Sequence, residues 1–350
     1  MENRNVVVRT LKMKEIYIVT TNNNYFAQRK YPWQSMDIDE ITKELERNSY
    51  KVRKVSINDL CNKLHDIKNK IIIYTSSQVD ELKLYINDLA YFLKEENILI
   101  PSYESLLAHD NKGFQVMLNK KYELGIINSR YYADISDVLQ NENNFPFVLK
   151  TVNGASSQGV SLVKTESDVM KFMTWPKLYQ SKLFAIKSLI KRLIIKSKYD
   201  QEWESYRSYG NKRYVVQDFI DGLNSDYKVL VFGGKYYVLN RGIPKGDFKA
   251  SGSGIHCREF GEDIFTVLDQ ARKIVENYPS HIYSLDICVS DNKALTIECQ
   301  FTHVGPVTLI DSEFYYIFSS GKWIKIKENS NLEKEFSNSI LCYLSGMSFD

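Results

Sequence analysis

Two acidic residues lie twelve positions apart in otherwise apolar segments near the carboxyl end of the chain, "YSLDICVS" and "KALTIECQF". Burying an unpaired carboxylate is costly, so Asp286 and Glu298 are expected to have a cation nearby. A hairpin turn centred on residues 291–293 places Asp286 directly opposite Glu298 on neighbouring strands. The same register places Ser284 opposite Gln300, and residues two apart on a strand share a face.

Oxygen ligands from two carboxylates and an amide are typical of a Mg²⁺ site, in which the ion keeps several waters and takes its other ligands from substrate phosphates. Two solvent-facing acids on an edge hairpin would show the same pattern. A one-residue change of register would separate the two carboxylates, because successive side chains point to opposite faces of a sheet. The metal interpretation therefore depends on the predicted register.

A second candidate is the stretch "FPFVLKTVNGASSQGVSLVKT" (residues 145–165), which contains an apolar strand ending in Lys150, a loop of small residues and a further strand. Backbone N–H groups of such a loop can surround the oxygens of a phosphate. The phosphate-binding pattern G-x-x-x-x-G-K-[ST] is absent, and a tight hairpin without a ligand is the commoner explanation. The stretch alone does not establish a nucleotide site.

Strands and helices alternate over residues 14–105, which predicts a small parallel sheet covered by helices. The strands are "EIYIVTT", "KVRKVS" and "KIIIYTS". The helices are residues 35–48, with Ser35 as the N-cap, and "DELKLYINDLAYFLKEEN". Ligands of parallel sheets bind at the carboxyl ends of the strands, so residues 20–24 are either a substrate contact or a plain polar loop.

From about residue 146 the pattern changes to paired strands joined by short turns, which predicts an α+β half with antiparallel sheets. Gly233 and Gly234 lie where a tight hairpin turn requires positive φ.

The overall charge of the 350-residue chain favours neither a nucleic-acid partner nor a membrane surface, because 46 basic and 43 acidic residues give a net charge of only +3, so any such surface must be local. No nucleic-acid partner is therefore expected. No apolar run is long enough for a membrane span or a secretory signal, and the five cysteines form no C-x-x-C pair. We expect a cytoplasmic protein, in which residues 1–12 are a loose leader or mark an upstream start.

One basic segment departs from this balance. Residues 177–198, "KLYQSKLFAIKSLIKRLIIKSK", contain seven Lys or Arg residues and no acid, with apolar residues at helical spacing. A basic amphipathic helix is typical of proteins that lie on an anionic membrane surface, here the inner membrane face, or that grip a polyanionic acceptor. A packed helix with a solvated cationic face also fits the sequence.

The features follow one another in a defined order: the lysine strand with its small-residue loop, "VVQDFID", Asp226-x-Lys228, Arg241, "FKASGSG", and the Asp–Glu pair. This order resembles the ATP-grasp superfamily, most closely its branch of glutathione synthetases and ribosomal-protein glutamate ligases, which are carboxylate–amine ligases. The resemblance covers about residues 100–310. It implies an ATP-grasp fold, α/β and α+β in class, with an amino-terminal parallel α/β domain (1–105) and two α+β lobes (106–215 and 216–350) that sandwich ATP.

The resemblance also implies a role for each matching residue. The nucleotide would be held by two lysines, a mobile flap, an adenine-binding segment and a ribose-binding acid: Lys112, Lys150, Gly154, Ser156, Ser157, Gly159, Gln217, Asp218, Phe219, Ile220 and Asp226. The implied catalytic residues are Arg241, Lys249 and Ser251, and the implied metal ligands are Asp286, Glu298 and Gln300. Gln300 and Ser251 lie where the family has Asn, and Lys228 lies where it has Arg.

The implied activity is an ADP-forming ligation that makes a C–N bond. With ATP and Mg²⁺, or Mn²⁺ in its place, a substrate carboxylate would form an acyl phosphate, which an amine then attacks. The expected substrates are a small-molecule carboxylate, such as an amino acid or a sugar acid, and an amine, in surface-glycan or specialised-metabolite synthesis. A small-molecule kinase and a catalytically weak nucleotide-binding module are the alternatives, and a homodimer is left open.

Overall fold

The computed structural model describes residues 15–21, 24–77, 79–153, 159–174, 182–196, 200, 213–250, 252–302 and 304–347. Packing divides the chain into two compact units. The first unit comprises Met1–Asp110, Met117–Ile126 and Leu223–Asp350, and the second comprises Asn111–Val116 and Ile127–Gly222. Among the described residues, no helix combines the length and the apolar character needed to cross a membrane.

The first unit begins with the predicted parallel sheet. Its strands are β1 (Glu15–Thr20), β2 (Lys51–Ser56), β3 (Ile71–Ile73) and β4 (Ile98–Ile100), and its helices are α1 (Ile38–Arg47), α2 (Ile57–Asn62), α3 (Asp80–Leu93) and α4 (Tyr103–Asp110), with a 3₁₀ turn at Leu64–Asp66. The strand order is β2-β1-β3-β4, and all pairs are parallel. All three isoleucines of β3 are buried, as is typical of an inner strand in a parallel sheet.

Helix α1 begins at a different cap from the predicted one. Asp37 is the N-cap, and its carboxylate accepts hydrogen bonds from the backbone N–H groups of Asp39 and Glu40. Ser35 instead accepts a hydrogen bond from the backbone N–H of Phe26. The prediction of Ser35 was wrong because a second capping residue lies closer to the first helical turn.

The second unit is built on an antiparallel sheet. Its elements are β5 (Ser129–Tyr132), α6 (Ile135–Asn141), β6 (Phe147–Thr151), β7 (Val160–Val163), α7 (Glu166–Thr174), α8 (Lys182–Leu193) and β8 (Tyr214–Asp218), and α5 (Lys112–Tyr122) starts in this unit and ends in the first. The strand order is β5-β8-β6-β7. Phe147, Leu149 and Val216 pack on Val138 of α6. The opposite face carries the buried Val148 and Val215 together with polar side chains.

The rest of the first unit is a larger antiparallel sheet with three helices. Its elements are β9 (Ser225–Phe232), β10 (Lys235–Gly242), β11 (His256–Cys257), α9 (Asp263–Asn277), β12 (Ile282–Ser290), β13 (Lys293–Gln300), α10 (Val307–Ile310), β14 (Phe314–Ser319), β15 (Lys322–Lys327) and α11 (Leu332–Gly346). The strand order is β13-β12-β9-β10-β14-β15, and β11 pairs with β10. The four strands β13, β12, β9 and β10 position the candidate site described below.

The two sheets of the first unit share a core. Ile16 and Ile18 of β1, Phe232 of β9, and Phe336 and Ile340 of α11 belong to one buried cluster. Carboxyl-terminal residues therefore complete this face of the parallel sheet. The predicted domains 1–105, 106–215 and 216–350 stay predictions.

Candidate active site

The β12–β13 hairpin turns on two residues. Ser290 pairs with Lys293, and the intervening Asp291 and Asn292 have positive φ angles of 50° and 59°. Turns of this kind match the natural twist of antiparallel strands. The predicted turn centred on 291–293 was therefore wrong by one residue.

A bulge in β13 compensates for the shorter turn. The pairing shifts between Asp286 and Ile287, which leaves Ile297 as an extra residue on β13. In a regular hairpin from the same turn, Ile297 would lie opposite Asp286. The bulge brings Glu298 to that place, so the predicted pairing of Asp286 with Glu298 is confirmed.

Arg241 is held in a fixed orientation by Asp226. The two residues lie opposite each other on β10 and β9. Nε and Nη2 of Arg241 donate to the two carboxylate oxygens of Asp226, each at 2.7 Å. Both residues are buried, with 8% and 5% of their surface exposed. Such a two-point pair fixes both the plane and the direction of the guanidinium group.

Asp286 adds a second carboxylate to this pair. Its Oδ2 lies 3.1 Å from Nη2 of Arg241, and its Oδ1 lies 2.9 Å from Nζ of Lys228, the residue opposite it on β9. The Oδ1 atom is buried and faces this ammonium group. A carboxylate oxygen has two lone pairs, so Oδ1 can accept a further positive group.

These four side chains, Asp226, Lys228, Arg241 and Asp286, form the charge cluster, in which two negative charges face two positive ones. Burial raises the pKa of Asp226 to about 6, against the opposing effect of Arg241. Burial also acts to raise the pKa of Asp286, but Lys228 and Arg241 outweigh it and hold that pKa at about 2. Burial acts to lower the pKa of Arg241, but Asp286 and Asp226 raise it above its ordinary value. Asp286 is therefore the more firmly ionised of the two carboxylates.

Glu298 and Gln300 extend the charge cluster along β13. Gln300 lies opposite Ser284, as predicted, and its Nε2 donates to Oε1 of Glu298 at 3.4 Å. In the described part of the chain, no three His, Cys, Asp or Glu side chains are grouped as a metal site. A Mg²⁺ ion that takes most of its ligands from phosphates and water needs only one or two carboxylates. The buried Oδ1 of Asp286 and the carboxylate of Glu298 fit that requirement.

In the second unit, Lys150 and Gln217 lie on the same face of the sheet. Lys150 pairs with Val215, and Gln217 pairs with Val148 on the same two strands, so both polar side chains point to one side. Both residues are buried, and Nε2 of Gln217 donates to Oγ of Ser129 at 3.1 Å. The predicted phosphate-binding lysine and the start of the predicted adenine segment are therefore neighbours.

The side chain of Asp218 is engaged in structural contacts. Its Oδ1 lies 2.5 Å from Nη1 of Arg130, and its Oδ2 accepts a hydrogen bond from Asn128 at 2.8 Å. The backbone N–H of Asp218 donates to the carbonyl of Asn128. The backbone N–H of Asp218 is therefore engaged within the protein, and the adenine contacts of Gln217, Asp218, Phe219 and Ile220 stay predictions.

The structure describes only part of the predicted flap, residues 154–159, and places the backbone of the first predicted nucleotide lysine, Lys112. Gly159 has a φ of 72°, and a Cβ atom at this position would lie 2.1 Å from Oγ1 of Thr151, so the end of the loop requires glycine. The backbone N–H of Lys112 donates to the carbonyl of Val152, which places the start of α5 beside the end of β6. Gly154, Ser156 and Ser157 lie outside the described residues.

The predicted catalytic residues Lys249 and Ser251 are not seen to join the charge cluster in the described part of the chain. Nζ of Lys249 lies over the ring of Phe248, 5.5 Å from its centre, and the described contacts do not link it to the charge cluster. Ser251 lies outside the described residues.

The loop after β1 is the other predicted substrate contact. The backbone N–H and the hydroxyl of Thr21 both donate to the carbonyl of Tyr25, and residues 22 and 23 lie outside the described part. A substrate contact there stays a prediction.

Sequence reasoning missed the pairing of Asp226 with Arg241, although a signal for it was present. Gly233 and Gly234 form the expected two-residue turn, with φ angles of 54° and 84°. Phe232 pairs with Lys235 across this turn. Counting back along both strands from that pair leads directly to Asp226 opposite Arg241.

No protein-family model and no curated protein matches the chain. Solved structures do match it. The D-cycloserine synthetase DcsG aligns with a TM-score of 0.53 at 12% identity, over 93% of this chain and 98% of that one. An N5-carboxyaminoimidazole synthetase from Staphylococcus aureus, complexed with ADP, aligns with a TM-score of 0.54 at 10% identity, over 95% and 79%. An ADP complex of N5-carboxyaminoimidazole ribonucleotide synthetase gives 0.51 at 13% identity, over 86% and 74%. At these identities the likeness is one of fold.

Proposed function

Because the chain has the ATP-grasp fold, we propose that it is an ATP-dependent carboxylate–amine ligase. The structures of similar fold include synthetases, two of them solved with ADP. The observation within this chain that carries the proposal is the charge cluster, in which Asp226 fixes Arg241 beside the Asp286–Glu298 pair. An immobile guanidinium next to oxygens suited to Mg²⁺ is well placed to stabilise a phosphoryl group during transfer.

Arg241 is proposed to contact the transferred group. Its Nε and Nη2 atoms are engaged by Asp226 and Asp286, and Nη1 carries two further N–H donors. Because the orientation is set before substrate binds, no reorganisation is needed when negative charge develops in the transition state. Both oxygens of Asp226 are engaged by this arginine, so we propose that Asp226 positions Arg241 instead of binding ribose.

Lys150 and Lys112 are proposed to neutralise the phosphates of ATP, and the segment Gln217–Ile220 to contact its adenine. A Mg²⁺ or Mn²⁺ ion bound with the nucleotide would be held by the carboxylates of Asp286 and Glu298 and by the side-chain amide oxygen of Gln300. The ion would reduce the repulsion between the substrate carboxylate and the γ-phosphate. Lys228 keeps Asp286 ionised at neutral pH for that role.

The proposed reaction has two steps. A carboxylate oxygen attacks the γ-phosphorus of ATP, the bond from that phosphorus to the β–γ bridging oxygen breaks, and ADP leaves with the bonding electrons. The amine nitrogen then attacks the carbonyl carbon of the acyl phosphate, phosphate leaves, and the nitrogen loses a proton to solvent. The protein mainly positions the reactants and stabilises charge, so neither step needs a protein nucleophile. We propose an amino acid or a sugar acid as the carboxylate, in surface-glycan or specialised-metabolite synthesis.

A screen for product formation tests the proposal. Purified protein is incubated with Mg·ATP and a matrix of amino acids, sugar acids and amines, and ADP and free phosphate are measured separately. A ligase releases ADP and phosphate in equal amounts, and only when both a carboxylate and an amine are present. ADP without phosphate would indicate a kinase, and no turnover with retained Mg·ATP binding would indicate a nucleotide-binding module; either result would contradict the ligase proposal.

The metal assignment needs its own pair of variants. Glu298→Gln keeps the size of the side chain and removes its charge, and should lower turnover by about 100-fold or more if Glu298 holds the ion. Glu313→Gln makes the same change at an exposed position outside the charge cluster and should leave turnover unchanged. Equal turnover in the two variants would contradict the assignment of Glu298.

A further inference from the structure

Helix α8, in the basic segment of the second unit, exposes its apolar side chains. The exposed fractions are 54% for Ile186, 55% for Leu189, 41% for Ile190 and 64% for Leu193. Just beyond the helix, 76% of Ile194 is exposed. The alternative of a packed helix with a solvated cationic face requires these side chains to be buried. The structure instead leaves these Ile and Leu side chains at the surface.

The exposed residues form one stripe. Positions 186, 189, 190 and 193 follow the spacing that places side chains on a single face of a helix, at 3.6 residues per turn. The stripe is about 100° wide, the usual width of a face that contacts an apolar phase. Such a face on a twelve-residue helix is long enough to be a binding surface and much too short to span a bilayer.

Cations lie on both sides of this stripe. At 100° per residue, Lys187 and Lys191 lie on one flank and Arg192 on the other, and Lys196 follows just after the helix. All four side chains are at least partly exposed. The whole segment 177–198 contains no acidic residue that would neutralise them. A face that is apolar in the middle and cationic at both edges complements a surface that is apolar inside and anionic at its boundary.

We infer that α8 binds the surface of an anionic lipid bilayer, with its apolar stripe inserted and its cations at the level of the lipid phosphates. A helix lying in the membrane interface has this distribution, because long basic side chains reach the headgroups while their stems lie along the apolar region. A groove on a protein would match the stripe but would need acidic residues along both rims. The inference is independent of the proposed ligase activity, because it concerns a surface and requires no turnover.

Co-sedimentation with vesicles tests the inference. Full-length protein is mixed with vesicles of phosphatidylcholine alone or with vesicles that also contain about 30% of the anionic lipid phosphatidylglycerol. The bound fraction is measured at low and at high salt. Binding should be at least about tenfold stronger to the anionic vesicles and should weaken as salt rises. Equal binding to the two vesicle types, or no binding to either, would overturn the inference.

Two variants separate the apolar and the electrostatic contributions. Leu189→Gln combined with Leu193→Gln should reduce binding to anionic vesicles by about tenfold or more. Lys187→Gln combined with Lys191→Gln and Arg192→Gln should reduce it by about 100-fold, at roughly fivefold per cation. Binding that survives the leucine changes and is matched by a soluble polyanion would show a polyanion site instead, and would contradict membrane docking.

Matched changes elsewhere provide the controls. Leu84→Gln with Phe92→Gln removes two apolar side chains of α3 that are 66% and 72% exposed. Arg47→Gln with Lys51→Gln and Lys68→Gln removes three exposed cations of the first unit. Both control proteins should bind anionic vesicles as the unchanged protein does. A loss of binding as large as that of the α8 variants would show a nonspecific effect and would also contradict the inference.

Discussion

The charge cluster and helix α8 carry their cations in opposite ways. In the charge cluster, only 10% of the Arg241 side chain and 16% of the Lys228 side chain are exposed, and each lies within 3.1 Å of a carboxylate oxygen on another strand of the sheet. On α8, Lys187 and Arg192 are exposed and lie on opposite flanks of the apolar stripe, in a segment without acids. The first arrangement pairs its charges within the protein, whereas the second leaves its cations and its apolar side chains at the surface.

This difference indicates what each region can do. A buried two-point ion pair fixes a guanidinium group within a narrow range of positions, which is what stabilising a developing charge requires. Exposed cations on long side chains adapt to the positions of separate anionic groups, which is what a lipid surface presents. Substitutions in the two regions should therefore affect different properties.

The largest expected effect on stability is that of Arg241→Ala. The change leaves the buried carboxylate of Asp226 and the carboxylate of Asp286, whose side chain is only 15% exposed, without their shared cation. It should lower the free energy of unfolding by about 3–5 kcal/mol. Urea denaturation measures it. The control is Arg47→Ala, which removes an exposed arginine paired with Glu44 and should cost about 0–1 kcal/mol. Equal losses in the two variants would contradict the buried, paired state of Arg241.

The second prediction concerns Asp226→Asn, which should lower the rate of catalysis more than the affinity for the nucleotide. If Asp226 orients Arg241, its replacement should lower kcat by about 10- to 100-fold and leave the KM for ATP nearly unchanged, because the misplaced guanidinium acts mainly on the transition state. Steady-state kinetics of ADP formation measure both quantities. A raised KM for ATP with an unchanged kcat would instead support the ribose contact predicted from the sequence.

The pH dependence of stability provides a third comparison. The folded-state pKa of Asp226, about 6, is higher than that of an unfolded aspartate, so the folded protein holds the extra proton between about pH 4 and pH 6. The resulting stabilisation is present in full below about pH 4 and is lost as the pH rises through 6. Asp286, with a pKa of about 2, titrates below this window.

Unfolding measured from pH 4.5 to pH 7 should therefore show that the unchanged protein loses about 2 kcal/mol relative to Asp226→Asn over this range. The α8 charge variant, which removes no carboxylate, should show the same profile as the unchanged protein. Parallel profiles for Asp226→Asn and the unchanged protein would show that burial does not raise this pKa.

The smallest expected effect is that of the α8 charge changes on stability. Lys187→Gln, Lys191→Gln and Arg192→Gln together should change the free energy of unfolding by less than about 0.5 kcal/mol, because cations at the surface contribute little to folding. Urea denaturation in the absence of lipid measures this. A loss comparable to that of Arg241→Ala would indicate that α8 is part of the folded core and would remove the contrast between the two regions.

The sequence predicts the site best where a single hairpin sets the register. The pairing of Asp286 with Glu298 was predicted correctly, although its derivation contained an error: the turn is one residue shorter than expected, and the bulge at Ile297 restores the register. A bulge has no reliable local signature, so the agreement does not extend to hairpins in general.

Contacts between distant strands were beyond such reasoning. Lys228 neutralises Asp286 across β9 and β12, but α9 lies between these strands in the sequence, and no turn fixes their register. The sequence of α8 likewise does not predict the environment of its apolar stripe, because an amphipathic helix has the same apolar spacing whether the stripe is buried or exposed. Only the structure distinguishes these two states, through the exposed fractions of Leu189 and Leu193.

The most direct test of the proposed chemistry follows an oxygen atom. Once the screen identifies a carboxylate substrate, that substrate is prepared with ¹⁸O in both carboxylate oxygens, and the phosphate released in the complete reaction is analysed by mass spectrometry. An acyl-phosphate intermediate transfers one carboxylate oxygen to phosphate, so each phosphate released should contain one ¹⁸O atom. Phosphate without ¹⁸O would show that ATP is hydrolysed by water and would contradict the carboxylate activation proposed for this site.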